Sequence, residues 1–380
     1  MISKRIYLDF NGSTPIASEV AGAMRPFLTR HFGNPSSPHW AGEPARRAIE
    51  HARRQVAELL QCRPEEIVFT SGGSESNNHV IKGVFFALKE KGNHIITTQI
   101  EHPAVLTPCR FLERLGAEVT YVGVDQYGRV DPKEIEKAIT PRTILITVMH
   151  ANNEVGTIQA IEEISRVTKE RAILFHTDAA QSVGKIETKV DHLGVDLLSI
   201  AGHKLYAPKG VGALYIRRGT TIEPLIHGAG HESGRRAGTE NVLLIAGLGK
   251  ACEIARKYLD DAKVRDLRDR FWELLQENFG SRIVLNGHPF HRLPNTLNVS
   301  FVGQSGGEIL SRLDGVAAST GAACHSGSVE LSPVLRAMGI SPEVGMGAIR
   351  FSLGRTTTIQ ELERVIQLLK ATVPSQVSMD

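Results

Sequence analysis

The sequence has few of the features that mark secreted, disulfide-rich or membrane proteins. Its 380 residues include only four cysteines, which lie far apart and form no Cys-x-x-Cys pair. We therefore expect neither a disulfide framework nor a metal site. No apolar run approaches the ~20 residues that a membrane helix requires, and no secretory signal precedes the first strand-like run. These absences predict a cytoplasmic protein.

An excess of charge of either sign is also missing. Lys and Arg total 44 against 41 Asp and Glu, and the formal net charge is +3. Such a balance is not typical of proteins that bind nucleic acid or an anionic membrane, so we expect neither partner. Hydrophobic residues make up 41% of the chain and aromatic residues 6%. The chain can therefore build a globular core, and a disordered or fibrous protein is excluded.

The middle of the chain alternates short β-branched runs with amphipathic stretches. This alternation is typical of an α/β fold whose mostly parallel sheet is covered on both faces. Beyond residue 240 a long helical pattern covers 243–278, and strand-like runs follow near 296–302 and 348–353. We predict a large domain over 16–255 and a smaller α+β domain made of 1–15 and 256–380. The seven strand-like runs of the large domain are 67–70, 94–97, 118–122, 144–148, 173–176, 197–200 and 212–216.

A glycine-rich motif follows the first of these strands and precedes a helical stretch. Its residues are Thr70-Ser71-Gly72-Gly73-Ser74-Glu75-Ser76-Asn77. Exposed backbone N–H groups and the positive end of a helix together form a phosphate site. Taken alone, the motif is more typical of an ordinary helix start with Ser74 as the N-cap.

Two charged residues follow buried strands at the edge where open α/β sheets bind their ligands. Asp178 comes after the strand at 173–176, and Lys204 follows Gly202 at the end of the strand at 197–200. The Asp178 carboxylate could bind the protonated ring nitrogen of a heterocycle, or it could cap a helix or join an ion pair. A partly desolvated Lys204 amine could form a Schiff base. In isolation, a surface lysine is the simpler interpretation.

These three features follow one another in the order seen in pyridoxal-phosphate enzymes. With further motifs they make the chain similar to the class V aminotransferase-like family, and within it to the cysteine desulfurases and selenocysteine lyases. The resemblance covers nearly the whole chain. It implies the α/β architecture of fold-type-I transferases and pyridoxal 5′-phosphate as the cofactor. The further motifs are Tyr7–Pro15, Gly33–Ser37, Glu101-His102, Asn152–Gly156, Arg236–Thr239, Gly321–Cys324 and Arg350–Arg355.

The resemblance also implies a role for each site residue. Lys204 would form the Schiff base, Asp178 would pair with the ring nitrogen, and His102 would stack on the ring and exchange protons. Arg350, with Asn34 nearby, would bind the substrate carboxylate, although an ion pair with an acid of the small domain is the alternative. The other implied contacts are Gly73, Ser74 and His203 at the phosphate, Thr239 of the partner subunit in a homodimer, Gln181 at the phenolate oxygen, and Asn153 beside ring and substrate.

Cys324 lies in a run of small residues, 319–328, that is typical of a mobile loop. The resemblance implies that its thiolate takes the sulfur of L-cysteine, releasing alanine and leaving a persulfide. The persulfide would pass to an acceptor protein such as an iron–sulfur scaffold. A buried structural cysteine is the alternative.

Two positions depart from the desulfurase pattern. Ala201 stands where most relatives carry serine, and His325 stands where threonine is usual. The segment Gly321–Ser326 is closer to the selenocysteine lyases, so L-selenocysteine is an alternative substrate. Two further alternatives for the function are an aminotransferase, which would not need Cys324, and a scaffold that only binds partners.

Overall fold

The structure, a computed structural model, describes residues 5–320, 323–325 and 328–373, and for 323–325 and 328–329 it describes the backbone alone. The helices of the described residues are α1 (Ser18–Met24), α2 (Pro26–Thr29), α3 (Glu43–Leu60), α4 (Gly73–Leu88), α5 (Pro103–Glu113), α6 (Pro132–Ala138), α7 (Ile161–Glu170), α8 (Val190–Leu193), α9 (Val242–Ala255), α10 (Ala262–Phe279), α11 (Gly306–Arg312), α12 (Pro333–Ala337), α13 (Pro342–Gly345) and α14 (Ile359–Thr372). The strands are β1 (Ile6–Tyr7), β2 (Ile67–Thr70), β3 (His94–Thr98), β4 (Glu118–Val122), β5 (Thr143–Thr147), β6 (Leu174–Asp178), β7 (Leu197–Ala201), β8 (Gly212–Ile216), β9 (Ile283–Asn286), β10 (Thr296–Phe301), β11 (Val316–Ala317), β12 (Ser319–Thr320), β13 (Ala323–His325), β14 (Ser328–Glu330) and β15 (Ala348–Ser352).

Seven strands form the large sheet, in the order β2-β8-β7-β6-β5-β3-β4. Strand β8 runs antiparallel to both of its neighbours, and the other pairings are parallel. Successive side chains of a strand point to opposite faces, and Ile67 and Phe69 accordingly join one apolar core while Val68 joins the other. The first core is completed by α3, α7 and α9, and the second by α4 and α5. The predicted mostly parallel, seven-stranded sheet is confirmed.

The second sheet is antiparallel, with four strands in the order β12-β15-β10-β9. Its core includes Phe271 and Leu275 of α10, Phe351 of β15, and Leu362 of α14. Strand β1 pairs with β11, and Asp9 forms a bridge with Ser352. Residues 6–9 therefore lie with the C-terminal part of the chain. This separate core supports the proposed division into 16–255 and 1–15 with 256–380, whose boundaries stay a prediction.

The prediction of a single long helix over 243–278 is wrong, because α9 ends at Ala255 and a second helix, α10, begins at Ala262. Asp260 adopts a positive φ of 50°, which an α-helix cannot contain. The Asp261 side chain accepts a hydrogen bond from Lys263 N at 3.0 Å and so starts the second helix. Apolar periodicity continues through both helices, so it does not reveal the cap between them.

The topology brings several functional segments to one edge of the large sheet. Since β8 is antiparallel to both β2 and β7, the C-terminal ends of β2, β7 and β6 lie at the same edge. The glycine-rich motif, Lys204 and Asp178 follow or end these three strands. No helix of the described residues is long and apolar enough to cross a bilayer.

Candidate active site

A cavity of about 410 Å³ opens at this edge of the large sheet. It gathers nine of the residues predicted from the sequence, which come from both ends of the chain. These are Gly73, Ser74, His102, Asn153, Asp178, Gln181, His203, Lys204 and Arg350. The remaining lining residues include Asn11, Gly12, Asn77 and Ala201.

The glycine-rich motif forms one end of the cavity. Gly72 has a φ of +149°, which side-chain-bearing residues rarely adopt, and it is the N-cap of α4. Ser74 is therefore not the N-cap, and that interpretation of the motif is wrong. A Cβ built on Gly73 would lie 3.2 Å from the Ala201 Cβ, so the backbone passes close to the end of β7. The unpaired N–H groups at the start of this 16-residue helix favour an anion.

Asp178 is a buried carboxylate whose hydrogen-bond donors are neutral groups. Its oxygens accept hydrogen bonds from Asn77 Nδ2 at 2.7 Å and from Ala180 N at 2.9 Å. Both donors are neutral, and no salt bridge within the described part of the chain includes Asp178. A buried negative charge is costly without a compensating cation. The site therefore suits a ligand with a protonated nitrogen.

Lys204 lies in the turn that follows β7. Its Nζ donates hydrogen bonds to the backbone oxygens of Asn11 at 2.6 Å and Gly12 at 2.8 Å. Burial, and then the positive charge of Arg350, lower the pKa of the amine from 10.5 to about 8. An amine with this pKa is partly neutral near physiological pH, which a nucleophile or base requires.

Two histidines, His102 and His203, also line the cavity. His102 is the N-cap of α5, and its Nδ1 accepts a hydrogen bond from Ala104 N at 3.1 Å. In the neutral ring Nε2 therefore carries the proton. Burial lowers the pKa of His102, while the charge of Asp178 opposes this effect. Burial together with Lys204 lowers the pKa of His203 to about 4.

Arg350 projects from β15 of the small sheet into the cavity. Its Nη1 donates to Asn153 O at 2.9 Å and its Nη2 to Asp9 Oδ1 at 2.7 Å. Its Nε is buried and has no hydrogen-bond partner among the described residues. Arg350 thus forms an ion pair with Asp9, which was one of the two alternatives for this residue. It also lines the cavity, as binding of a substrate carboxylate requires. The unpartnered Nε is available to a carboxylate.

Gln181 completes the wall beside the N-terminal segment. Its Nε2 donates to Asn11 O at 3.0 Å, and its Oε1 accepts from Lys185 Nζ at 3.0 Å. The Asn11 carbonyl is therefore shared by Gln181 and Lys204. This contact links the end of β6 to the turn after β7.

Two predicted residues, Thr239 and Asn34, are not among those that line this cavity, and the side chain of a third, Cys324, is not described. Thr239 lies in a separate depression with Ser71. Asn34 is exposed, and its Oδ1 accepts from Ser36 N at 2.9 Å. Cys324 lies in β13, paired with Val329 of β14, and its side chain is outside the described residues. The roles of these residues stay predictions.

Other residues of the site were not predicted from the sequence. Asn77 orients Asp178, and the carbonyls of Asn11 and Gly12 hold Lys204. Asn77 lies one helical turn after Gly73, so helix periodicity places it on the same face as the start of α4. The Asn11 carbonyl carries no sequence signal, because its role depends on the pairing of the two ends of the chain.

These residues fit pyridoxal phosphate. The start of α4 suits the phosphate, Asp178 suits the ring nitrogen, and Lys204 is an amine of lowered pKa for the aldehyde carbon. The fold and the site together define a pyridoxal-phosphate-dependent enzyme of fold type I.

Comparisons with known proteins agree with this class. Residues 6–365 match the aminotransferase class-V family. The chain is 52% identical to a protein named cysteine desulfurase IscS from Dictyoglomus turgidum, over 98% of this chain and 97% of that protein. A protein of the same name from Methanosarcina thermophila is 48% identical over 97% and 91% of the two chains. The chain belongs to the aminotransferase class-V family, whose members depend on pyridoxal phosphate.

Solved structures show the same likeness. A "NifS-like protein" superposes with a TM-score of 0.91 at 39% identity and covers 97% of this chain and 98% of its own. A structure described as "SspA in complex with cysteine" has a TM-score of 0.83 at 41% identity, over 92% and 98% of the two chains.

Proposed function

We propose that this protein is a cysteine desulfurase. It converts L-cysteine to L-alanine and leaves the sulfur as a persulfide on Cys324. The observation that carries the proposal is the presence of Lys204 and Arg350 in one cavity, where a base and a carboxylate-binding group face the same space. The curated relatives named above carry the same activity in their names.

Some residues of the cavity bind the cofactor, and others bind the substrate. Ser74, Gly73 and His203 would hold the phosphate, Asp178 would pair with the ring nitrogen, and Lys204 would bind the aldehyde carbon until the amine of the substrate takes its place. The bound cofactor withdraws electrons from the α-carbon of the substrate. The unpartnered Nε of Arg350 binds the substrate carboxylate, with the guanidinium held by Asp9 and Asn153.

Proton and sulfur transfer then use the chain's own groups. The neutral Lys204 amine removes the proton from the α-carbon, and His102 exchanges protons at the ring face. The Cys324 thiolate attacks the substrate sulfur, an S–S bond forms, and the carbon–sulfur bond breaks with its electrons going to the β-carbon. Protonation of the carbon skeleton gives alanine. Overall, L-cysteine and the Cys324 thiol yield L-alanine and the persulfide.

The persulfide sulfur passes to an acceptor protein, which we propose is a scaffold for iron–sulfur clusters. Two relatives bear the name IscS, and this supports a role in sulfur transfer. We also propose a homodimer, because Thr239 does not line the cavity of its own chain and would reach the phosphate from the partner subunit. Location in the cytoplasm stays a prediction.

The test measures alanine and protein-bound sulfur from ³⁵S-labelled L-cysteine. Lys204→Ala is expected to lose the visible cofactor band and all turnover. Cys324→Ala is expected to keep the band but to release no alanine and carry no label. Cys62→Ala is the matched control, because burial raises the pKa of this half-buried thiol to about 12 and makes it a poor nucleophile. Full activity of Cys324→Ala on L-cysteine would contradict the proposal.

The alternative substrate is L-selenocysteine, favoured by the segment Gly321–Ser326. Comparison of alanine release from the two amino acids separates a desulfurase from a selenocysteine lyase. Selenocysteine turnover that survives in Cys324→Ala would indicate that only the sulfur reaction needs the thiolate. Transfer of the amino group to a keto acid, without sulfide or persulfide, would indicate an aminotransferase.

A further inference from the structure

Lys185 contacts the wall of the active site without lining the cavity. It follows Gly184 in the segment between β6 and α8. Its Nζ lies 3.0 Å from Gln181 Oε1 and 3.2 Å from Asn11 Oδ1. Neither partner is charged, and no salt bridge within the described part of the chain includes Lys185. A lysine in such surroundings loses hydration without gaining a counter-ion, so its retention calls for another explanation.

The contact with Lys185 determines which way the Gln181 amide faces. A lysine head group donates to both partners, because an ammonium has three N–H groups and a neutral amine has two. Gln181 must therefore turn its oxygen to Lys185 and its NH₂ group to the Asn11 carbonyl, 3.0 Å away. The reversed amide would place two donors together at Lys185 and two acceptors together at Asn11. The second N–H of Nε2 is then left for a ligand in the cavity that Gln181 lines.

Asn11 is held in the same way. Its Oδ1 accepts from Lys185 and also from Asn295 Nδ2 at 3.0 Å, and its Nδ2 donates to Thr296 Oγ1 at 2.8 Å. Its backbone oxygen accepts from both Gln181 and Lys204. Lys185 thus contacts the side chains of both Gln181 and Asn11, and the carbonyl of Asn11 accepts from Gln181 and Lys204.

We propose that Lys185 is a positioning residue that keeps an N–H group of Gln181 directed at the cofactor, so that Gln181 donates to the phenolate oxygen of bound pyridoxal phosphate. The inference rests on the proposed cofactor site and adds to it a residue that touches neither cofactor nor substrate.

The electrostatics agree with this role. Burial, with the positive charges of Lys204 and Arg350, lowers the pKa of Lys185 well below 10.5. A neutral Lys185 amine still has an N–H for each of the two oxygens, and the Asn11 carbonyl still requires the NH₂ group of Gln181 as its donor. The acids Asp178 and Asp9 face Lys204 and Arg350 rather than Lys185.

The experiment follows the visible absorbance of the purified holoprotein as a function of pH. Lys185→Met keeps the length of the side chain but removes the donor, and the Asn11 carbonyl is then the one contact described here that still keeps the Gln181 amide from turning its oxygen to the cofactor. A donor to the phenolate favours the deprotonated chromophore, so its loss is expected to raise the midpoint by about one pH unit, a tenfold change in the protonation equilibrium. Lys185→Arg retains N–H donors and is expected to keep the wild-type midpoint.

A double variant tests whether Lys185 acts through Gln181. Gln181→Leu alone is expected to raise the midpoint by a similar amount, and Lys185→Met in that background is expected to add nothing. Lys250→Met is the matched control, since Lys250 is half-buried and pairs with Glu253 on α9, away from the cavity. If Lys185→Met does not accumulate as folded protein, Lys185→Ala takes its place.

Two results would overturn the inference. One is a wild-type midpoint in the folded Lys185 variant. The other is a shift of unchanged size in the Gln181→Leu background, which would mean that Lys185 acts by its charge. A wild-type protein that binds pyridoxal phosphate without any visible band would instead contradict the proposed function.

Discussion

The reactivity of Lys204 is expected to titrate far below that of an ordinary lysine. Its pKa is about 8 instead of 10.5, because the amine is buried and Arg350 adds positive charge nearby. At pH 7.5 roughly a quarter of the molecules then carry the neutral amine, against about one in a thousand for an unperturbed lysine. The structure therefore predicts a gain of roughly 200-fold in neutral amine at this pH.

The assay is the rate at which cofactor-free protein regains its visible band with added pyridoxal phosphate between pH 6 and 10. The rate is expected to rise about tenfold per pH unit and to level off near pH 8, since the amine is fully neutral above its pKa. The same pH series is measured with butylamine in place of the protein. The ratio of the two rates removes the effect of the ionisations of pyridoxal phosphate itself. Arg350→Met removes a charge that disfavours the ammonium, so its plateau is expected at higher pH.

A wild-type rate that keeps rising up to pH 10, with no plateau, would contradict the lowered pKa of Lys204. It would mean that water reaches the amine despite the carbonyls of Asn11 and Gly12. An unchanged plateau in Arg350→Met would show instead that burial alone sets the pKa.

Three other substitutions have defined outcomes. Ala201→Ser places a hydroxyl beside Gly73 and is expected to tighten pyridoxal-phosphate binding by up to about tenfold. The binding is measured in a Lys204→Ala background. Equal binding would show that the phosphate already has all the hydrogen-bond donors it can use. Arg350→Lys loses the planar fork, so the KM for L-cysteine is expected to rise about tenfold or more while the visible band is unchanged; an unchanged KM would exclude Arg350 as the carboxylate group. Glu101 is buried with Oε2 unpartnered, and burial raises its pKa from 4.5 to about 8. The folded state thus binds the proton more tightly than the unfolded state, and wild-type stability is lost as the pH rises from 4.5 to 8. Glu101→Gln is expected to be more stable than wild type by about 1–3 kcal/mol at pH 9 and similar at pH 5, in denaturant titrations; equal stability at pH 9 would contradict the raised pKa.

The large sheet was predictable because each of its strands is a short apolar run bounded by polar residues. The positions of the glycine-rich motif, Asp178 and Lys204 were predictable because the residues at the C-terminal ends of parallel strands gather at one edge of a sheet. The end of α9 and the start of α10 were not predictable, since the aspartate that caps α10 ends the continuous helix without changing the apolar pattern.

The support of the site was much harder to predict. The Asn11 carbonyl acts through its backbone, which any residue carries. Asp9 meets Arg350 only because the N-terminal segment bridges to β15, the strand that carries this arginine. An ion pair of Arg350 and its binding of a substrate carboxylate looked like alternatives in the sequence. The guanidinium has enough N–H groups for both. Thr239 and Asn34 are not among the residues that line the cavity, and their roles stay predictions.

The position of β8 has a consequence for synthesis of the protein on the ribosome. Among the strands that the structure describes, β2 pairs with β8 alone. A Cβ on Gly212 would lie 2.7 Å from the Gly72 Cα, so the glycine-rich motif packs directly on β8. The nascent chain contains Gly72 long before it contains residues 212–216. Contacts between such distant segments form late and slowly. We therefore expect that nascent chains stalled before residue 212 do not retain pyridoxal phosphate and that the cofactor binds after the large sheet has closed.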